Sequence, residues 1–364
     1  MERKGFLTVF ILSGAYLAYL AGSGFGSGQE MMQYFTSYGY VGVLGILVSA
    51  VLWASYAAFI VKDSRDFGLT TLHQVYLFYC GKYLGNALFA FSLAYLFCMA
   101  SLMIAGAGAA FAQYFNVGSE IGRIIMTAMV LVTGLLGMRK TVDVIGSLGP
   151  CIMVFVVVIA VIALATGPTG LEAGNEYVKS HVMLKPSGNW LWAAIMYFSY
   201  CILFQAAYLS GLASTNPATT RQLTQSVVIG ATIYVLASIL MMLAFLANIS
   251  ILDGMEVPNL YLGSKINPLL GAIYGVILVA ALYTTTAPLI WSVTNVFAKE
   301  KTKVYPWVVV AVSVLAYFGS GFSSFSVLVN VVTTVAAYVG ILYIIPVFYV
   351  KFVKRPKPPV KVSV

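Results

Sequence analysis

Four glycines alternate through one short stretch of the sequence, at Gly22, Gly24, Gly26 and Gly28. Ser23 and Ser27 stand between them, and Gln29 and Glu30 follow directly. The stretch lies inside an apolar run. Glycine lowers the cost of unwinding a helix. An unwound turn in an apolar setting exposes N–H and C=O groups that must find partners. Its carbonyls suit a small cation, and amides at a new helix start suit an anion. Close packing of helices through small residues is the competing use of such glycines. A second cluster, Thr284, Thr285 and Thr286, sits near the middle of another apolar run. Hydroxyls are hard-oxygen ligands of the kind that suits Na+, although helical Thr also bonds back to its own helix.

Of eleven acidic residues, Glu30 alone falls well inside an apolar run; the others lie in loops or at run ends. An ionisable residue at membrane depth marks a functional site by default. Three roles fit Glu30. It can pair with a cationic group or ion, carry a proton, or tie its helix to a neighbour by hydrogen bonding. No Lys, Arg or His is buried near it in sequence.

The elements that must position these groups follow from composition. The chain of 364 residues is 61% hydrophobic and 9% charged, against about 25% charged in soluble domains. Apolar runs of about twenty residues recur along its length, which predicts an all-α membrane protein with little chain left for a soluble domain. Ten spans fit, over 6–35, 40–61, 83–114, 121–138, 143–166, 190–213, 222–247, 266–297, 305–321 and 325–351. The first reads as a retained helix rather than a signal peptide. With both termini on the cytoplasmic side, 16 of the 20 Lys and Arg fall inside and four outside, as the positive-inside rule asks. The net charge of +9 is then a topology signal, with the basic tail 352–364 against anionic lipid rather than nucleic acid. The cysteines form no CxxC and read as small buried hydrophobes.

Spans three and eight are both about 32 residues long, ~48 Å at the helical rise. The first span is interrupted by glycine, and the sixth carries Ser199, Tyr200 and Gln205 midway. Residues 6–166 and 190–351 thus read as two five-span repeats within one transporter domain spanning 1–364. Five is odd, so the second repeat enters from the opposite face, and a binding site is expected between discontinuous helices one and six. Loop 167–189 is expected to hold a short interfacial helix.

The segment "AGSGFGSGQE" resembles the unwound first helix of the amino acid–polyamine–organocation superfamily, and the ten-span 5+5 plan resembles its LeuT-type fold. "GSGFGSGQE" looks most like the YkvI-like branch. The resemblance implies that Gly22 and Phe25 carbonyls hold Na+ together with the Ala281 carbonyl, Thr284 and Thr285, with Thr286 as a register alternative. The last three match an i, i+3, i+4 face. It implies that Ser27 and Gly28 amides receive a substrate carboxylate, within a substrate site taking in Ser23, Gly24, Gly26 and Glu30. Gln29 falls where some members hold a second sodium ion. Gly106 and Gly108 of span three leave room where some relatives place a tyrosine. Phe198, Ser199 and Phe204 surround the expected break in span six. Span five has no lysine to stand in for sodium; its Gly146, Ser147 and Gly149 allow close approach to span one. Asn330, Thr333, Thr334 and Tyr338 of span ten are candidates for lining the solute path.

No HExxH, Walker loop, GxSxG or paired His ligand occurs, and no cytoplasmic segment is long enough to bind ATP. Enzymatic and ATP-driven functions are therefore disfavoured. The expectation is a multi-pass transporter of the cell (inner) membrane. It would move a small amino-acid-like or amine-containing solute by alternating access, as a sodium symporter. Proton coupling through Glu30 is the alternative, and a channel or sensor of the same fold a lower one.

Overall fold

With no water in a hydrocarbon layer, a spanning segment satisfies its backbone by folding into a helix, and the apolar runs do so. The computed structural model describes residues 2–136 and 142–353, without the side chains of 2–5, 23 and 142–150. In chain order the helices are α1 (Glu2–Leu20), α2 (Ser23–Ser27), α3 (Gln29–Tyr34), α4 (Val41–Phe67), α5 (Leu72–Phe115), α6 (Ser119–Leu136), α7 (Val142–Thr166) and α8 (Leu171–Ser180). They continue as α9 (Trp190–Thr215), α10 (Thr220–Ala247), α11 (Ile249–Leu252), α12 (Pro258–Ile266), α13 (Pro268–Phe297), α14 (Tyr305–Gly319) and α15 (Phe325–Phe352). Most ends fall within two residues of the expected spans, and α8 is the short helix expected in loop 167–189. The Lys and Arg of the basic tail lie outside the described residues, as do Arg139 and Lys140.

Among the described residues, seven helices are each long and apolar enough to cross a membrane: α4, α5, α6, α9, α10, α13 and α15. Phe6–Leu20 of α1 and α14 are shorter apolar helices, and Cys151–Thr166 of α7 turns through 94° into α8. The chain is a multi-pass membrane protein. Large side chains such as Val51, Leu136, Trp307 and Phe322 stand exposed, which a lipid-facing surface requires.

Sequence punctuates these helices. Thr71 and Thr219 close capping boxes with Gln74 and Gln222, and Asn189 and Asn267 each accept two backbone N–H groups. Each such cap contributes about 1 kcal/mol. Gly81, at φ 70°, kinks α5 and separates its first turns from the long span.

In the packing, α1 lies on α10, α4 lies on both α9 and α10, α5 lies on α13, α15 and α6, and α14 lies on α6, while α15 also packs extensively on α9 and α7 on α10. Arg65 fastens α4 to the end of α9 by donating to the carbonyls of Ala213, Asn216 and Ala218, each at 2.6 Å. Nearby, Asp63 of α4 is 2% exposed. It accepts from Lys351 Nζ of α15 at 2.5 Å and from the Tyr79 hydroxyl of α5.

Two expectations fail here. The sixth span is not broken: α9 runs unbroken from Trp190 to Thr215. It has no glycine before Gly211, and its mid-span Ser199 returns its hydroxyl to the Ile195 carbonyl at 2.5 Å. The cysteines are not all buried either, since Cys98 and Cys151 are exposed.

Candidate functional site

The first span is broken twice. Gly22 takes an extended backbone (φ −62°, ψ −177°) before the five residues of α2. Gly28 takes the left-handed conformation at φ 88°, ending α2 and starting α3. A Cβ on Gly28 would also stand 2.6 Å from Cζ of Phe245, so the position is glycine for two reasons. The freed carbonyls find protein partners. Phe25 O accepts from the Gly28 N–H (3.2 Å) and Asn259 Nδ2 (3.2 Å). Gly26 O accepts from Asn259 Nδ2 (3.0 Å) and the Tyr274 hydroxyl.

Beyond the break, a ladder of neutral amides ties α3 to its surroundings. Gln29 Nε2 donates to the carbonyls of Met255 (2.6 Å) and Glu256 (3.0 Å). Gln33 Nε2 donates to Gln29 Oε1 and Ser326 O, both at 2.9 Å, and Asn330 Nδ2 donates to Gln33 Oε1 at 3.1 Å. Tyr34 donates to Thr333 Oγ1 at 2.8 Å.

On its other side the break opens on a cavity of about 150 Å³. Gly22, Gly24, Phe25 and Glu30 form one wall. The long span of α5 contributes Tyr95, Met99 and Met103, and α9 contributes Tyr197, Tyr200, Cys201, Phe204 and Gln205. Trp53, Tyr234, Thr285, Tyr19 and Leu20 complete it, so eight of its seventeen residues are aromatic. Tyr95 stacks on Phe204 with centroids 4.6 Å apart, and Tyr19 stacks on Tyr208 at 4.3 Å.

Glu30 is the only acid on this wall, and no Lys, Arg or His joins it. Its carboxyl packs directly over Gly24, where a Cβ would collide with it. The phenols of Tyr197 and Tyr200 face the carboxyl. The Tyr197 hydroxyl is also bonded to Tyr234 at 2.7 Å. Three buried polar atoms of residues on the wall have no hydrogen-bond partner among the described residues: Trp53 Nε1, the Tyr95 hydroxyl and Gln205 Oε1.

The fold is of the LeuT type. Over 94% of this chain and 88% of the other, it superposes on MhsT, solved in complex with L-phenylalanine, with a TM-score of 0.57 and 15% identity. Over 94% of this chain and 79% of the other, it superposes on a mutant of the Eremococcus coleocola manganese transporter, with a TM-score of 0.56 and 14% identity. In sequence, the chain is 25% identical over 205 residues to the membrane protein YkvI of Bacillus subtilis (strain 168), covering 56% of each. The chain thus spans about half the length of the curated relative it matches. No family model matches it.

Within the LeuT-type frame, the expected substrate residues divide. Gly24, Glu30 and Phe204 line the cavity, joined by Gly22 and Phe25 from the expected cation set. Gly26, Ser27 and Gly28 face away from it. Gly26 packs towards Leu278, Ile152 and Tyr274, and Gly28 towards Phe245. The Gly28 amide is spent on Phe25 O, and the Ser27 hydroxyl donates to Gly24 O at 2.8 Å. Gly106 packs on Phe325 and Leu282, and Gly108 makes room for Arg123. Phe198 and Ser199 lie one step around α9 from the cavity face, because the unbroken helix presents 197, 200, 201 and 204 instead. The side chain of Ser23 lies outside the described residues, as do those of Gly146, Ser147 and Gly149.

The threonines of the expected cation set bond back to their own helix, α13. Thr284 Oγ1 and Thr285 Oγ1 lie 3.0 and 2.9 Å from Ala281 O, to which both donate. Thr286 points back to Leu282 O at 2.6 Å. Thr285 shares the cavity wall with Gly22 and Phe25. The Gly22 carbonyl accepts the Gly26 N–H at 3.1 Å. Gln29 gives its amide to the ladder, not to a second ion position.

A second cavity, about 550 Å³, borders the ladder at Met255 and Glu256. Its charged groups are paired. Arg123 Nη1 donates to Glu120 at 2.6 Å, and Glu256 accepts from the backbone N–H and hydroxyl of Ser326.

Proposed function

We propose that this chain is a secondary active transporter that moves a small amine-containing solute by alternating access. The observation that carries the reading is the cavity at the break of the first span, lined by α4, α5, α9, α10 and α13 and holding a single carboxylate. Ten spans in a 5+5 inverted repeat, with both termini cytoplasmic in the cell (inner) membrane, suit the packing. The α1–α10 contact has its exchange partner in α9–α4, as a two-fold related pair of repeats requires. The set of α1, α4, α9 and α10 would rock against the set of α5, α6, α13 and α14. The amide ladder would seal the outer route, with the larger cavity as its vestibule.

One neighbour was solved with L-phenylalanine and another is a manganese transporter. A lone carboxylate among aromatic rings favours a monovalent organic cation over a divalent metal, which attracts several hard oxygen ligands. Sodium is the proposed coupling ion, at Ala281 O, Thr284 and Thr285 with Gly22 and Phe25 opposite. To bind it, the two hydroxyls turn from Ala281 O and present lone pairs, and the Phe25 carbonyl exchanges Asn259 for the ion. Ion binding then favours one state of the cycle and couples gradient to solute. Uptake into proteoliposomes with a sodium gradient, compared with choline, tests this. Sodium-dependent uptake should fall at least tenfold in Thr285→Ala, and equal uptake in choline removes sodium coupling.

Proton coupling is the second reading, favoured by the Glu30 carboxyl facing the cavity with no cationic partner among the described residues. Uptake driven by a pH gradient in choline, and lost in Glu30→Gln, would support it over sodium.

A further inference from the structure

We propose that residues 69–80 form a hinged plug that closes the solute path at the end opposite the amide ladder, held shut by Asp63 and Lys351. This rests on the transporter reading above. The segment is bounded by two glycines with positive φ, Gly68 at 67° and Gly81 at 70°, a backbone that other residues rarely adopt. A Cβ at either would meet nothing within 4 Å, so neither glycine is there to make room for a neighbour. What they provide is backbone freedom at both ends of one short unit, which is what a hinge needs. Between them, residues 72–80 fold back on the long span of α5, where the missing Cβ of Gly85 leaves space for the Tyr76 carbonyl.

Tyr76, fully buried, is the tip of the plug. Its hydroxyl pairs with Ser92 Oγ at 3.0 Å and lies 3.2 Å from Leu203 O. Ser92 is one turn from Tyr95 and Leu203 is next to Phe204, and the stacked rings of Tyr95 and Phe204 line the cavity. Tyr76 is therefore wedged between α5 and α9 beside that stack, and its withdrawal would loosen the cavity wall. One turn on, Tyr79 donates to Asp63, which also pairs with Lys351 at 2.5 Å. A buried carboxylate depends on such partners, so the pair fixes the plug to α4 and α15 together. Lys351 and Ser326, which holds the ladder, stand at opposite ends of α15, ~38 Å apart at the helical rise. In the rocking motion α4 moves against α5, so the Asp63–Tyr79 bond crosses the moving boundary.

The test reads access to Cys201, which lines the cavity, in the full chain in vesicles with the other three cysteines replaced by serine. A charged, membrane-impermeant methanethiosulfonate is applied from each face. Asp63→Asn combined with Lys351→Met removes both charges. It should speed labelling at least tenfold from the face carrying residue 351 and not from the other, with the melting temperature retained. If that chain fails to fold, Tyr76→Phe serves, because it keeps the ring and drops only the hydroxyl; labelling should rise a few-fold. His73 Nε2 pairs with Asn86 Oδ1 at 2.7 Å, so Asn86→His sets a second imidazole where Zn2+ can pin the plug to the long span. Added to the faster variant, Zn2+ should return labelling to the starting rate, and EDTA should release it. Labelling unchanged in both variants overturns the proposal. So does a rise equal from both faces, or Zn2+ that binds by calorimetry yet leaves labelling fast. Flux separates the two readings. Labelling that responds as expected, with no flux of any protein amino acid or its decarboxylated amine into proteoliposomes, defeats transport and leaves the plug standing. Flux with labelling indifferent to the variants does the reverse.

Discussion

In the proposed pair of repeats the first and sixth spans hold equivalent places, yet they are built in opposite ways. The first is cut at Gly22 and Gly28 and contributes backbone and a carboxyl to the cavity. The sixth, α9, is continuous and contributes Tyr197, Tyr200, Phe204 and Gln205 from one helical face. A break supplies polar backbone but needs outside partners, here Asn259 and Tyr274. An intact helix satisfies its own backbone and can devote its side chains to the ligand. In this protein the interrupted first span faces one aromatic face of α9 across the cavity.

Substitutions can sharpen that contrast. The largest effect is expected from Gly28→Ala. The left-handed backbone alone costs about 1–3 kcal/mol for a non-glycine residue, and the contact with Phe245 adds to it, so the melting temperature of the purified protein should fall steeply. Next comes Asn259→Ala, which removes a donor from two buried carbonyls. A loss of about 1–3 kcal/mol should appear in the same melting assay, and an unchanged midpoint would show that the break does not depend on α12. Ala206→Gly, inside α9, should cost about 1 kcal/mol. If it instead leaves stability unchanged and speeds transport, α9 unwinds during the cycle and the contrast is only a property of one state. The smallest effect belongs to Gly211→Ala. A Cβ there meets nothing within 4 Å, and the helix gains up to about 1 kcal/mol, the opposite sign to Gly28→Ala.

Much of this was legible in the sequence. Hydropathy gave the spans because lipid leaves the backbone no alternative to a helix, and Glu30 stood out as the only acid inside a span. Gly22, Gly24 and Phe25 followed from the glycine pattern and the resemblance built on it. Tyr95, Met99 and Met103 were passed over in favour of Gly106 and Gly108, although their i, i+4, i+8 spacing marks one helical face. On α9 the expected break directed attention to Phe198 and Ser199, one position away from the true face. Aromatic residues are common throughout these spans, so only the partners across the cavity distinguish the stripes that matter. Asn259 could not be foreseen. It lies more than 230 positions from the carbonyls it holds, in a connection with no motif of its own.

The Asp63–Lys351 pair joins residues 288 positions apart, which gives it a meaning for biosynthesis. Asp63 is made with α4 and meets its countercharge only once α15 is made. Removing one member of a buried pair costs about 3–5 kcal/mol. A chain that stops before Lys351 leaves Asp63 without this partner. Chains truncated after Tyr349 should be degraded faster than full-length ones in a pulse–chase experiment. Asp63→Asn should shrink that difference, and an unaltered difference would place the surveillance elsewhere.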